Sequence, residues 1–274
     1  MLMASQVEAV VRRGIQKLMP FTLAHPAAVI PLRRFLPFSA LVVGSLAPDF
    51  EYLFHLAAVS QFSHTLLGIF YFCIPVGVVV LWLFHSVVKC PVLLLLPNFM
   101  RRRLEPSSSA FSFLPLSRLS LILIALAVGA FSHLAWDAFT HEAGWAVVRL
   151  PVMRAHLFDV AGREVRLYKL VQHGSTLAGL SLLAYWFWRQ PRRETEITVG
   201  EGSSLPDRVR RQILLALLLS TGIVGAGVGL WSASQSSGFR ALQVFMVQSA
   251  VGGMAACAVC VLLFSLLYSA RDHA

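Results

Sequence analysis

The amino-acid sequence predicts an all-α membrane protein, a polytopic helical bundle of about six spans with a polar cluster at its extracytoplasmic end. Hydrophobic residues make up 57% of the 274 residues, charged residues make up only 13%, and the mean hydropathy is +0.71. A soluble domain carries roughly 25% charged residues, so this chain has too few to coat a water-facing surface. A secreted disulfide domain, a disordered protein and an ordinary cytosolic enzyme are therefore excluded.

Five apolar runs approach or exceed the length of about 20 residues that a bilayer crossing requires. They are Leu66–Val88, Leu119–Phe139, Gly174–Trp188, Ile213–Trp231 and Ala241–Tyr268. The third run is short, but the aromatic belt Tyr185–Trp188 marks its end. A sixth run, Phe35–Leu56, is interrupted by Pro48, Asp49 and Glu51. Whether this sixth run spans decides the topology.

The distribution of basic residues favours six crossings. If Phe35–Leu56 spans, 17 Lys and Arg residues fall on one side of the membrane and 6 on the other, whereas without it the two sides are nearly equal. Cytoplasmic loops carry the excess of Lys and Arg. We therefore predict a multi-pass protein of the cytoplasmic (inner) membrane, with Arg33, Arg34 and the C-terminus in the cytoplasm. Basic residues in the cytoplasmic loops then account for the net charge of +10. The positive charge therefore does not call for a nucleic-acid partner, and none is expected.

The chain divides into four predicted parts. Residues 1–18 form an N-terminal extension without a secretory signal, and residues 19–190 form a domain that holds nearly all the histidines. Residues 191–211 are charged and rich in turn formers, which is typical of a cytoplasmic linker. Residues 212–274 form a C-terminal pair of transmembrane helices. Its G-x-x-x-G spacing at Gly225 permits close helix contact, although ordinary transmembrane composition explains the glycines equally well.

The ionisable residues of the 19–190 domain fall at the extracytoplasmic ends of the predicted helices. Such residues are costly inside a membrane and mark functional sites there. The first span ends with Asp49, Glu51 and His55, the second begins at His64, the third ends with His133, Asp137 and His141, and the fourth begins after His173. We expect these side chains to meet, with His55, His141 and His173 in flanking positions that orient ligands or contact substrate.

His133 and Asp137 have the most specific spacing. They lie four residues apart in an apolar stretch, so on a helix they share one face and can reach the same ion. With His64 and Asp49 they form a nitrogen and oxygen ligand set without thiols. This set favours a divalent metal, catalytic zinc first and manganese or iron as alternatives. Such an ion lowers the pKa of bound water to about 7. Asp49 and Asp137 are candidates to bridge or ligate it, or one of them to act as base. A hydrogen bond across helices is the alternative explanation for each residue taken singly.

Five motifs closely resemble a bacterial membrane-protein family. They are MPFTLAHPAAVIPLRR (Met19–Arg34), LVVGSLAPDFEYLF (Leu41–Phe54), SHTLLGIF (Ser63–Phe70), GAFSHLAWDAFTHEAGW (Gly129–Trp145) and LYKLVQHGSTL (Leu167–Leu177). The family is DUF4184, a domain of unknown function, and its name implies no activity. The resemblance runs from Met19 to about Arg189. It includes neither the C-terminal helix pair nor residues 1–18, so Met19 is an alternative translation start.

A more distant similarity implies an activity. An early His, a G-x-x-x-P-D element, a Ser-His pair and a late H-x-x-x-D look like the pattern of the inner-membrane metal-dependent hydrolases, themselves similar to zinc-dependent phospholipase C. The metal ligands implied by this resemblance are His25, Asp49, His64, His133 and Asp137. We predict Asp49 and Glu51 as the catalytic carboxylates. Glu51 departs from the pattern, which has an aspartate there, but it still offers oxygen ligands.

His25 conflicts with the predicted topology, because it precedes Arg33 and Arg34, which should be cytoplasmic. As a helix, the chain from His25 to Arg33 covers roughly 12 Å, less than half the hydrocarbon thickness of a bilayer. If translation starts at Met19, we therefore expect Phe21–Leu32 to form a short half-spanning helix with His25 at its outer end, near Asp49.

These observations lead to one leading hypothesis and two alternatives. The leading hypothesis is a membrane-embedded, metal-dependent hydrolase that acts on a phosphoester or lipid-linked substrate at the outer surface of the cytoplasmic membrane. The alternatives are non-enzymatic: an ion- or proton-coupled transporter, or a structural scaffold whose polar cluster is a hydrogen-bonded plug. Against transport, no ionisable residues continue a path to the cytoplasmic side. Membrane lipid is an expected partner under every hypothesis.

Overall fold

The computed structural model of the chain is almost entirely helical, and it describes residues 22–57, 59–104, 111–160, 162–191 and 205–272. The helices are α1 Pro26–Val29, α2 Phe38–Leu46, α3 Glu51–His55, α4 Leu66–Leu95, α5 Asn98–Leu104, α6 Leu116–Thr140, α7 Trp145–Arg149, α8 Leu167–Arg189, α9 Asp207–Ala233 and α10 Gly238–Asp272. Short 3-10 turns cover Thr22–Ala24, Ile30–Arg34, Ala47–Phe50 and Pro151–Arg154. The predicted helical class is confirmed. The predicted extension 1–18 and most of the linker 191–211 lie outside the described residues.

Four helical stretches among the described residues are long and apolar enough to cross a membrane. They are Leu66–Leu95, Leu116–Arg149, Asp207–Ala233 and Gly238–Ala270. They contain four of the predicted runs and confirm the membrane character of the chain. The runs Phe35–Leu56 and Gly174–Trp188 are not among them. The six-crossing topology and its orientation therefore stay predictions.

The interrupted run Phe35–Leu56 is bent rather than straight. α2 has only nine residues, about 14 Å of helix, and a 3-10 turn that contains Pro48 follows it. Proline has no backbone N–H and its ring clashes with the preceding helical turn, so it ends α2 here. α3 then stops at Leu56, which adopts a left-handed conformation with φ of 46°. The bend places Asp49 and Glu51 in a tight corner of the chain.

α4 contains two wider π-helical turns, and a proline follows each of them within three residues. The turns cover Ile69–Cys73 and Phe84–Val88, and the prolines are Pro75 and Pro91. A proline in a helix removes one backbone hydrogen bond and displaces the carbonyl four residues earlier. The π turns are where α4 absorbs these two disruptions without breaking.

The described residues form two compact units. The first contains residues up to Val78 together with Phe113–Trp186, and the second contains Val79–Ser112 and the residues from Phe187 onward. In the first unit α2 packs along α6. In the second unit α9 packs against α10 so closely that a Cβ atom on Gly225 would lie 2.7 Å from the carbonyl oxygen of Ser249. The glycine therefore serves close helix contact, one of the two explanations that the sequence left open.

One antiparallel hairpin interrupts the helical pattern of the described residues. Strands β1 His156–Val160 and β2 Arg163–Arg166 pair with each other between α7 and α8. This hairpin was not predicted from the residue pattern. The alternation of apolar and polar residues at 158–160 is the period-two signal that was available.

Candidate metal centre

α2 and α6 approach each other at two glycines, and this contact positions His133. A Cβ atom on Gly129 would lie 2.7 Å from the backbone nitrogen of Ser45, and one on Gly44 would collide with the backbone of Leu126. Because neither residue has a Cβ, the two backbones come close together. The carbonyl oxygen of Ser45 then accepts a 2.8 Å hydrogen bond from Nδ1 of His133.

This hydrogen bond fixes the tautomer of His133. A carbonyl oxygen only accepts, so Nδ1 carries the proton, and Nε2 of the neutral ring keeps a lone pair. The side chain is 1% exposed, and Nε2 has no hydrogen-bond partner. A buried polar atom without a partner is costly. An N–H to carbonyl bond on the other ring nitrogen is also the usual way in which proteins orient a metal-binding histidine.

Asp137 directs its two carboxylate oxygens at different histidines. Oδ2 lies 3.2 Å from Nε2 of His133 and 3.5 Å from Nε2 of His64. Oδ1 lies 3.2 Å from Nε2 of His25 and 3.3 Å from Nδ1 of His141. The spacing of one helical turn on α6 thus brings His133 and Asp137 together as predicted, and Asp137 lies at the centre of four imidazoles.

His64 lies directly before α4. Thr65 caps that helix, its Oγ1 accepting the N–H of Gly68 at 2.9 Å, which fixes the backbone beside His64. Nε2 of His64 is buried without a hydrogen-bond partner and lies 3.5 Å from Oδ1 of Asp49. The same oxygen of Asp49 lies 3.6 Å from Nε2 of His133. Both histidines therefore direct Nε2 atoms that make no hydrogen bond at the carboxylates of Asp49 and Asp137.

His25 reaches this cluster from the turn before α1. Its ring stacks on that of His133, with centroids 3.9 Å apart and planes inclined by 13°, and the residue is 1% exposed. A short segment of 3-10 turns and one four-residue helix thus brings His25 to the cluster, and its half-spanning placement stays a prediction. Trp136 packs nearby, its ring centroid 5.4 Å from that of His25, and its Nε1 donates to Oγ of Ser175 at 3.1 Å.

Glu51 holds the turn that precedes His64. Its carboxylate accepts the backbone N–H groups of Gln61 at 3.2 Å, Phe62 at 3.5 Å and Ser63 at 2.9 Å, and the residue is 8% exposed. Three donors thus converge on one buried carboxylate. These contacts favour a positioning role for Glu51, while its catalytic role stays a prediction.

The ligand atoms form two overlapping groups in which all atoms lie within 4.8 Å of one another. One group is His25, His133 and Asp137, and the other is Asp49, His64 and His133. The four separations that join Nε2 of His64 or His133 to a carboxylate oxygen of Asp49 or Asp137 run from 3.2 to 3.6 Å. Neighbouring ligands of a tetrahedral zinc ion are roughly 3.3 Å apart, given bonds of about 2.0–2.1 Å. The residues therefore fit a divalent ion, and all five implied ligands belong to the two groups.

The three histidines expected to flank the site differ in position. His141 contacts Asp137 and is the flanking histidine that meets the cluster. His55 is half exposed, and its Nε2 lies 3.5 Å from Oε1 of Glu51, on the turn rather than among the ligands. His173 is exposed on α8 and belongs to neither ligand group.

The DUF4184 family model matches the chain over residues 19–266 and describes a domain of unknown function. The chain belongs to this family. The match begins at Met19, as expected, but it extends far beyond Arg189. The expectation that the C-terminal helix pair lies outside the family is therefore wrong. No curated protein and no solved structure matches the chain.

Proposed function

We propose that this DUF4184 protein is a membrane-embedded, metal-dependent hydrolase that acts on a phosphoester or lipid-linked substrate at the outer surface of the cytoplasmic membrane. One observation supports the proposal most strongly. The Nε2 atoms of His64 and His133 are buried, lack hydrogen-bond partners and lie within 3.6 Å of carboxylate oxygens of Asp49 and Asp137. Bare imidazole nitrogens beside carboxylates are the donors that a divalent cation needs.

The donor set favours a catalytic ion over a structural one. Structural zinc sites are closed and mostly built from cysteine, whereas catalytic sites use His and carboxylate ligands and keep an open position. The buried thiol of Cys73 donates to the carbonyl oxygen of Ser63 at 3.6 Å and belongs to neither ligand group. Zinc is the first candidate, with manganese and iron as alternatives.

Each residue of the cluster has a separate role in the proposed reaction. His133, which Ser45 orients, and Asp137 hold the ion from the buried side. The side chain of His64 is 20% exposed, against 1% for His133, so His64 marks the side from which substrate enters. Asp49 lies between the two histidines, where it holds the ion or takes a proton from the attacking water. A divalent ion bound here would polarise a phosphoryl or carbonyl oxygen and lower the pKa of water.

Hydrolysis by the purified, zinc-loaded protein tests this function. The substrates are a panel of chromogenic phosphomonoesters and phosphodiesters, together with phospholipids in mixed micelles. We expect chelator-sensitive hydrolysis by the wild type, its loss in Asp137→Asn, and its retention in the control His85→Ala, because His85 stacks on Phe111 in the second unit. A wild type that binds metal but hydrolyses none of these substrates would contradict the proposal and favour a scaffold protein with a structural metal ion.

A further inference from the structure

The chain between α6 and α8 carries apolar side chains that no other described part of the protein covers. We name residues Trp145–Arg166, which comprise α7, a 3-10 turn and the hairpin, the interfacial segment. Seven of its large apolar side chains are at least 41% exposed: Trp145, Val148, Leu150, Val152, Leu157, Phe158 and Val160. Isolated exposed apolar residues are ordinary, but so many within one short segment indicate a contact surface.

α7 attaches the interfacial segment to the first unit by one side only. Ala146 and Val147 are fully buried, while Trp145 and Val148 on the other side are exposed. The guanidinium carbon of Arg149 lies 4.8 Å from the centroid of the Trp145 ring. An aromatic ring paired with a cation is typical of the boundary between lipid headgroups and acyl chains.

The hairpin has one apolar face and one acidic face. Phe158 pairs with Val165, and Asp159 pairs with Glu164 on the facing strand. Val160 pairs with Arg163. Because side chains alternate across a strand, Phe158, Val160 and Val165 share a largely apolar face with position 163, and the two acidic residues share the other face. Both acids have partners on the hairpin: Asp159 contacts His156 at 3.1 Å, and Glu164 contacts Arg166 at 2.9 Å.

We propose that the interfacial segment lies on the membrane surface, with the apolar face of its hairpin in the boundary between headgroups and acyl chains. Lipid is the occupant because the segment begins within the end of Leu116–Arg149, a stretch long and apolar enough to cross a membrane. Its charges also fit, since the acidic side chains point away from the apolar face. Arg149 lies beside the exposed Trp145, where it can contact lipid phosphates.

The placement brings the membrane surface beside the histidine cluster. The N–H of Gly144 donates to the carbonyl oxygen of His141 at 2.8 Å, and His141 contacts Asp137. The interfacial segment therefore starts one turn of chain beyond His141, which itself contacts a candidate ligand. This inference concerns lipid contact alone, so it stands or falls independently of metal binding and hydrolysis.

Depth-dependent quenching tests the proposal in reconstituted protein. The three more accessible cysteines, Cys90, Cys257 and Cys260, are replaced by serine, and the buried Cys73 is kept. A fluorophore is then attached at Val160→Cys on the apolar face or at Asp159→Cys on the acidic face. The vesicles contain phosphatidylcholine and phosphatidylglycerol, with or without nitroxide-labelled lipid.

We expect the nitroxide lipid to quench the label at position 160 at least threefold more than the label at 159, and aqueous iodide to show the reverse order. Phe158→Cys, which lies on the same face as Val160, replicates the result if Val160→Cys does not fold. Equal quenching at both positions would overturn the proposal. So would a label at position 160 that is shielded from both lipid and iodide, because a second copy or another protein would then cover the face.

Discussion

Replacing Gly129 by alanine is expected to weaken metal binding by breaking the hydrogen bond between Ser45 and His133. The new Cβ would lie 2.7 Å from the backbone nitrogen of Ser45, whereas an ordinary contact requires 3.4 Å. The Cβ would lie closer still to the carbonyl oxygen of Leu41, so α2 must retreat by at least this difference, about 0.7 Å. The distance from the Ser45 carbonyl oxygen to Nδ1 of His133, now 2.8 Å, would grow to about 3.5 Å, beyond the usual range of such hydrogen bonds. Loss of a partner that orients a ligating histidine lowers metal affinity by about 10–100-fold.

Competition with a chromophoric chelator measures this effect on the detergent-purified protein. Gly174→Ala is the matched control, because it lies on α8 in the same unit and nothing is within 4 Å of its added Cβ. Thermal unfolding of both variants establishes that they are folded. Wild-type zinc affinity in a folded Gly129→Ala protein would refute the reasoning that close contact between α2 and α6 positions His133.

Three further predictions concern other parts of the chain. Glu51→Gln replaces one acceptor oxygen with a donor, so part of the turn before His64 loses its hydrogen-bond acceptor. Chelator competition should then show about tenfold weaker zinc binding. Unchanged zinc affinity would show that Glu51 does not position His64. Gly225→Val overpacks the contact between α9 and α10 and should lower the free energy of unfolding by about 1–3 kcal/mol in a denaturing-detergent titration. Gly227→Val should be nearly neutral, because its Cβ has open space, and equal effects would contradict the close contact. A topology reporter fused after Arg103 should behave as cytoplasmic and one near Arg163 as extracytoplasmic, and opposite signals would reject the charge-based orientation.

The convergence of the candidate ligands was predictable because it depends on two signals that the sequence carries. Four-residue spacing put His133 and Asp137 on one face of a helix, and the charge count assigned the ends of several helices to the same side. His64 and Asp49 followed from that assignment. The structure brings all of these residues together.

The supporting contacts were not predictable, because they arise from packing rather than from side-chain pattern. A backbone carbonyl such as that of Ser45 leaves no signal in the sequence, and its contact with His133 depends on two glycines that meet only in the folded protein. Glu51 carries the same carboxylate group as the candidate aspartate ligands, but the course of the following turn directs it to backbone amides instead. A glycine on each of two predicted spans, close in sequence to the implied ligands, was the available indication of the contact between α2 and α6.

The central claim, that the histidines and aspartates hold a metal ion, is tested most directly by metal content per chain. Elemental analysis of the purified wild type, after extensive washing in metal-free buffer, should find at least one zinc, manganese or iron ion per chain. The control His85→Ala should retain that ion and Asp137→Asn should lose it, while both elute from size exclusion as the wild type does. A wild type that carries no metal even after zinc loading, or an Asp137→Asn variant that retains the full amount, would contradict the account and leave the cluster as a hydrogen-bonded polar plug.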